Sequence, residues 1–232
     1  FSYSAPAYFA TAVSLLGVLA TALFLKETVD EKKAAKSPKT KFSLEEFKKV
    51  LSVYPIGILI VTFFIVNLAS SVQQGNFALW TQKTFNYGPA ENGWLFAYIG
   101  ILAVIVQLKV LPFLTKIFNE KNILYISLFC MFLGLSLIPL VPLPNFLYVS
   151  LFFLPFGYGL SNPTIQALAS ENVPKEEYGE TLGFLQSTGS LGRIIGPIIG
   201  GIIFQSFGKD NTFYFAGFIT LVVLVYSKMK LK

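Results

Sequence analysis

Of 232 residues, 54% are apolar, 13% are charged and the mean hydropathy is +0.63, a balance that cannot wrap a water-facing surface. The net charge of +6 comes from 18 Lys and Arg against 12 Asp and Glu. Histidine is absent and Cys130 is the single cysteine, which excludes internal disulfides and cysteine metal clusters and removes the commonest general base and proton switch.

The apolar residues fall in long runs suited to a hydrocarbon layer about 30 Å thick. Spans are predicted at residues 5–25, 54–74, 93–112, 123–141, 146–169, 182–204 and 213–227. This is an all-α membrane protein of about seven transmembrane helices, because a helix satisfies its own backbone in lipid. Fifteen lysines lie in alternate loops and therefore share one face: eight between the first two spans, Lys109, Lys116 and Lys121 between the third and fourth, Lys175 between the fifth and sixth, and three after the last. Only Lys83 and Lys209 lie opposite, and Arg193 is within a span. The placement argues against nucleic acid as a partner and makes the lysine-rich side, with the C-terminus, cytoplasmic. Phe1 then starts on the outer face with no initiator Met and no basic leader, so a longer chain is expected upstream.

Along the chain, residues 28–40 read as a polar linker. Ser43 and Glu46 have capping-box spacing ahead of Leu44, Phe47, Val50 and Leu51, which predicts a short amphipathic helix at the interface, or a charged extension of the second span. The outer loops at 142–145 and 206–212 are short, with 75–92 longer. Trp80, Tyr87 and Trp94 around that loop read as interface anchors. Cys130 reads as a small packing residue.

The second span carries Asn67, Ser70, Ser71 and Gln74 at helical spacing; the third carries Gln107; the fifth Asn162 and Gln166; the sixth Gln186 and Ser187. Singly, such residues serve interhelical hydrogen bonds; as a set they favour a polar-lined central cavity. Arg193 is the one basic residue deep in a span. It is expected to pair with a carboxylate or substrate, or else to snorkel or donate to backbone carbonyls. No Asp or Glu lies within a predicted span, so a membrane-embedded titratable carboxylate, if the protein has one, belongs to its other parts. The sixth span also holds Gly192, Gly196 and Gly200 spaced by four, with Pro197 and Gly201. Glycines at that spacing form a stripe where another backbone can approach, and Pro197 favours a bend.

The string G-x-x-x-G-P-x-x-G-G at 192–201 resembles the antiporter motif of the major facilitator superfamily, in the drug/proton antiporter branch similar to tetracycline efflux proteins. That motif is best known on the fifth helix of the first half; this copy stands on the pseudo-equivalent helix of the second. The stretch ending Leu25-Lys26-Glu27-Thr28 resembles the family's sixth helix, and Trp80–Tyr98, Gly157–Pro163 and Val173–Ser187 resemble its seventh, eighth, tenth and eleventh. The resemblance implies three parts. Residues 1–27 are the last helix of an N-terminal half absent from this chain, residues 28–52 the linker, and residues 53–232 a six-helix C-terminal bundle built as repeats 53–141 and 146–232. The family's charge-relay loop is eroded at 111–121, where Lys116, Glu120 and Lys121 are the candidates for a cytoplasmic latch.

The resemblance implies a secondary transporter of a cell membrane working by alternating access, with a small-molecule substrate, protons and the lipid bilayer as partners and no cofactor or metal. Proton-coupled export of a small amphipathic compound is the leading expectation, and import of a nutrient or metabolite the alternative. A seven-helix receptor is the reading from a different class, although the last span holds no lysine for a retinal Schiff base. An enzyme is not expected.

Overall fold

The computed structural model describes residues 4–25 and 50–231. The chain divides into two units, residues 1–42 and 43–232. In the first, α1 (Ala5–Phe24) is a 20-residue apolar helix. Two of its polar side chains are satisfied within the helix, Thr11 and Thr21 donating to the carbonyls of Ala7 and Gly17 at 2.8 and 2.9 Å, as a helix in lipid favours. The linker at 28–40 and the capping box at Ser43–Glu46 lie outside the described residues; of the expected amphipathic helix, only a turn at 50–52 is described, and it is helical.

The second unit holds α2 (Ile56–Phe85), α3 (Pro89–Leu114), α4 (Glu120–Leu137), α5 (Leu147–Glu171), α6 (Tyr178–Ser206) and α7 (Asn211–Lys230). With α1, six of these helices are long and apolar enough to cross a membrane. The 25-residue α5 has the length but is less apolar, because Ser161, Asn162, Thr164 and Gln166 interrupt its second half.

The central element is α2, which packs on α6, α7 and α5; α4 packs on α5 and α7, and α3 lies against α5. Aqueous burial does not drive such contacts in lipid, so close van der Waals fit does, and glycines mark several of them. A Cβ on Gly157 would stand 2.8 Å from the Met131 Cα, one on Gly134 3.2 Å from the Ser150 carbonyl oxygen, and one on Gly217 2.5 Å from the Ser136 hydroxyl. The pairing is reciprocal between the first and last three helices: α2 with α6 and α5 with α3, α2 with α7 and α5 with α4, α2 with α5 and α4 with α7.

Contacts fix the helix directions. Phe63, Leu68 and Ser71 of α2 meet Gly189, Gly192 and Gly196 of α6 in the same order, so these two run parallel. Thr62 bonds Ser227 and Trp80 meets Phe213, so α2 and α7 run antiparallel. This alternation gathers the start of α2, the start of α4 and the ends of α3, α5 and α7 at one end of the bundle, with Lys109, Lys116, Lys121, Lys175, Lys228 and Lys230. At that end the Tyr54 hydroxyl donates to the Lys230 carbonyl (3.0 Å) and that of Tyr125 to the Leu231 carbonyl (3.0 Å), pinning the last turn of α7.

The predicted outer loop at 75–92 is corrected. Helix α2 continues eleven residues past Gln74 to Phe85, and the connection shrinks to three residues, closed by Asn86 at φ 55°, a left-handed conformation that Asn tolerates. Gly75 does not break the helix because Pro197 packs into the space a side chain would take, 3.1 Å from its absent Cβ. Trp80 is likewise no interface anchor. It is buried, its indole Nε1 donates to Asp210 at 2.7 Å, and Phe85 and Phe213 meet it edge-on. Trp94 is exposed, as an anchor would be.

The loop before α4 ends in Asn119, whose side chain accepts from the Asn122 N–H at 3.0 Å. Asn119→Ala is expected to cost about 1 kcal/mol through the lost N-cap, seen as a lower thermal midpoint of the detergent-solubilised protein, with Asn119→Asp near wild type.

Candidate functional site: a glycine-faced helix pair beside a polar cluster

The stripe on α6 is a backbone-to-backbone contact. A Cβ on Gly192 would stand 2.8 Å from the Phe64 carbonyl oxygen and 2.9 Å from the Leu68 nitrogen. On Gly196 it would stand 2.8 Å from the Leu68 carbonyl oxygen and 2.8 Å from the Ser71 Cβ, and on Gly200 it would strike the Asn76 amide. Gly189, not singled out from the sequence, extends the stripe by one turn against Phe63 at 2.5 Å. Gly201 is different: nothing lies within 4 Å of its Cβ position. So the motif divides into a contact face and a glycine with open space. Pro197, one turn beyond Arg193, lacks an N–H and leaves the Arg193 carbonyl without its helical donor.

Beside the stripe, side chains from three helices form a hydrogen-bonded cluster. Asn67 of α2 is buried. Its Nδ2 donates to the Phe63 carbonyl at 2.8 Å and to Asn162 Oδ1 of α5 at 3.4 Å, and its Oδ1 accepts from Arg193 Nη1 of α6 at 2.8 Å. Arg193 Nη2 donates to Ser190 Oγ at 3.0 Å. The hydrogen bonds of Arg193 go to two neutral side chains and not to backbone carbonyls. Thirteen residues separate it from the end of α6 at Ser206, about 20 Å of helix.

Asn162 also lines a cavity of about 440 Å³ with Gln107, Tyr158, Gly159, Pro163 and Gln166. Two local departures from α-helix shape its walls. Gln107 stands on a π-helical segment of α3, Val106–Val110, a widened turn often found at functional sites. Pro163 lacks an N–H, so the Gly159 carbonyl one turn earlier has no helical donor. Gln166 Nε2 donates to the Asn162 carbonyl at 3.2 Å.

The structure therefore brings Asn67, Asn162, Gln166, Gln107 and Arg193 into one region. The remaining candidates stand apart. Ser70 Oγ donates to the Val66 carbonyl, Ser71 packs at Gly196, and Gln74, Gln186 and Ser187 are exposed on their helices. Gln74 lies two turns beyond Asn67 and Gln186 two turns before Arg193. Tyr158 was hidden among the aromatics of α5. In the latch region Lys116 is exposed, Glu120 opens α4, and Lys121 lines a separate cavity of about 120 Å³ with Tyr54, Leu168, Asn172 and Leu231. Among the described residues no cluster of metal-ligating side chains occurs.

Residues 1–196 and 113–231 match the model of the Major Facilitator Superfamily. The chain belongs to this superfamily. Its members are transporters, not enzymes, and this chain is a multi-pass, all-α membrane protein. It is similar to Multidrug resistance protein 2 of Bacillus subtilis, 28% identical over 97% of this chain and 56% of that protein. Solute carrier family 22 member 18 of Mus musculus is 24% identical over 95% of this chain and 55% of that protein. Tetracycline resistance protein, class H, of Pasteurella multocida is 26% identical over 68% of this chain and 38% of that protein. The chain spans about half the length of the curated relatives it matches.

Proposed function

We propose that residues 53–232 form the C-terminal half of an alternating-access secondary transporter that exports a small amphipathic compound in exchange for protons. The observation that carries the reading is the glycine face of α6, seated on the α2 backbone beside a polar cluster that adjoins a cavity. A smooth, side-chain-free contact lets one helix tilt on another without unlocking side chains, and Pro197 supplies the bend. The reciprocal packing of α2–α4 with α5–α7 supports repeats at 53–141 and 146–232, as expected of a fold in which halves rock around a midplane site. Residues 1–27 are then the last helix of the opposing half and 28–52 the linker. The resistance functions for which the two bacterial relatives are named favour efflux.

The carboxylates of the described residues all stand in loops or end turns, so the proton carrier belongs to the opposing half. The lysine-rich end faces the cytoplasm of a cell or inner membrane. Lys116, Glu120 and Lys121 stand where a loop latch would act at that face. The test is flux by the full-length polypeptide in proteoliposomes under an imposed pH gradient. Uptake of members of an amphiphile panel, abolished by a protonophore, is expected; no flux across the panel overturns the reading.

Within that assay, Gln107→Ala is expected to change the pattern of competing substrates with no change in thermal midpoint, since Gln107 is an exposed side chain on the cavity wall. An unchanged competition profile removes it from the site.

A further inference from the structure

We propose that the solute carries an oxyanion, a carboxylate or a phosphate monoester, bound by Arg193 while the cavity between Gln107 and Tyr158 takes its apolar body. This rests on the transport reading above. Arg193 stands near the middle of α6, and its hydrogen-bond acceptors, Asn67 and Ser190, are neutral. No Asp or Glu among the described residues forms an ion pair with it. A guanidinium at that depth is costly until it meets a negative group.

The geometry holds the guanidinium ready for one. Two of its five N–H donors are used, one on each terminal nitrogen. Both acceptors are themselves fixed: Asn67 is tied to the Phe63 carbonyl and to Asn162, and the Ser190 hydroxyl donates to the Gln186 carbonyl at 2.8 Å. The planar fork is therefore held at two corners, and its remaining donors are open, because the side chain is exposed in this bundle. A fork with fixed orientation suits the two oxygens of a carboxylate or phosphate better than a point charge does.

The cavity supplies the rest of the recognition. Asn162 belongs both to its wall and to the chain of hydrogen bonds that leads to Arg193. The wall offers neutral amides, a phenol ring and the carbonyl freed by Pro163, with no carboxylate to receive an ammonium group. A cationic amphiphile would meet Arg193 with like charge, and on this wall, among the described residues, it finds no counter-charge. An oxyanionic one is matched at both ends.

The experiment uses the full-length polypeptide in proteoliposomes with four probes sharing one aromatic body: naphthoate, naphthyl phosphate, naphthamide and naphthyltrimethylammonium. Wild type is expected to transport the two oxyanions best. Arg193→Gln is expected to raise KM for both by about tenfold or more, the scale of a lost charge-assisted pair, and to raise that of naphthamide by much less, since only a neutral hydrogen bond is exchanged. Arg193→Lys is expected to recover part of the loss. Competition of naphthoate flux by lysophosphatidate identifies a lipid headgroup as the natural source of the oxyanion, and failure to compete identifies a free solute; either supports the assignment. Equal loss of all probes in Arg193→Gln overturns it, since that is the signature of a structural role or of an ion pair with the opposing half. Wild-type preference for the ammonium probe also overturns it. No flux of any probe, in this set or the broader panel, removes the transport reading itself.

Discussion

Flux through the Gly196→Leu variant is expected to fall to background, with the polypeptide still inserted and recoverable in detergent. At Gly196 even a methyl group would stand 2.8 Å from the Leu68 carbonyl oxygen and 2.8 Å from the Ser71 Cβ. Backbone cannot rotate out of the way, so α2 and α6 must separate. Overpacking costs about 1–3 kcal/mol where a core can yield, and here the rigid neighbour puts the change at or above the upper end. Insertion survives because it depends on the apolarity of each helix, which leucine raises. Gly201→Leu is the internal control: five residues along the same helix, it has nothing within 4 Å of its Cβ position and is expected to transport at near wild-type rates. Flux measured in proteoliposomes, with the inserted fraction from protease protection, separates the two. Wild-type flux in Gly196→Leu removes the stripe from the mechanism. Equal loss in both variants shows that helix flexibility, rather than contact with α2, sets the rate.

Much of this was legible in the sequence because a bilayer imposes simple rules. Long apolar runs gave the helices to within a few residues at most ends, and glycines spaced by four marked the tight face of α6. The errors share one cause, which is that local signals were overruled by packing. Gly75 read as the end of a helix, yet Pro197 across the interface fills its space and α2 runs on to Phe85. Trp80 read as an anchor, yet Asp210 on a distant loop accepts its N–H and makes burial affordable. Apart from those errors, Gln74, Gln186 and Ser187 are exposed on their helices, outside the hydrogen-bonded cluster, because helical period assigns a face and says nothing of height or neighbour. Only the crossing of α2, α5 and α6 selects Asn67, Asn162 and Arg193.

Asn67→Leu is expected to have the second largest effect, and it tests the cluster independently of the stripe. Leucine has the same number of side-chain heavy atoms and the same branch point, so the α2–α6 seam stays filled. What is lost is the acceptor for Arg193 Nη1 and the donor to Asn162 Oδ1. A hydrogen bond to a charged group contributes about 1.5–3 kcal/mol, so the orientation of Arg193 and hence oxyanion flux should weaken by about 10- to 150-fold at low substrate concentration. Asn67→Asp makes the sharper comparison. Its carboxylate keeps an acceptor for Arg193 and adds a counter-charge, which offsets the loss of the donor to the Phe63 carbonyl and Asn162 Oδ1, so the protein is expected to stay folded with a thermal midpoint at or above that of Asn67→Leu. The guanidinium is then neutralised from within the protein, and the solute must compete with a tethered anion. Oxyanion flux is therefore expected to fall at least as far as in Asn67→Leu, while the neutral naphthamide continues to move. Retained oxyanion flux in Asn67→Asp would show that Arg193 is not the group the solute meets, even though the hydrogen-bonded cluster itself were intact.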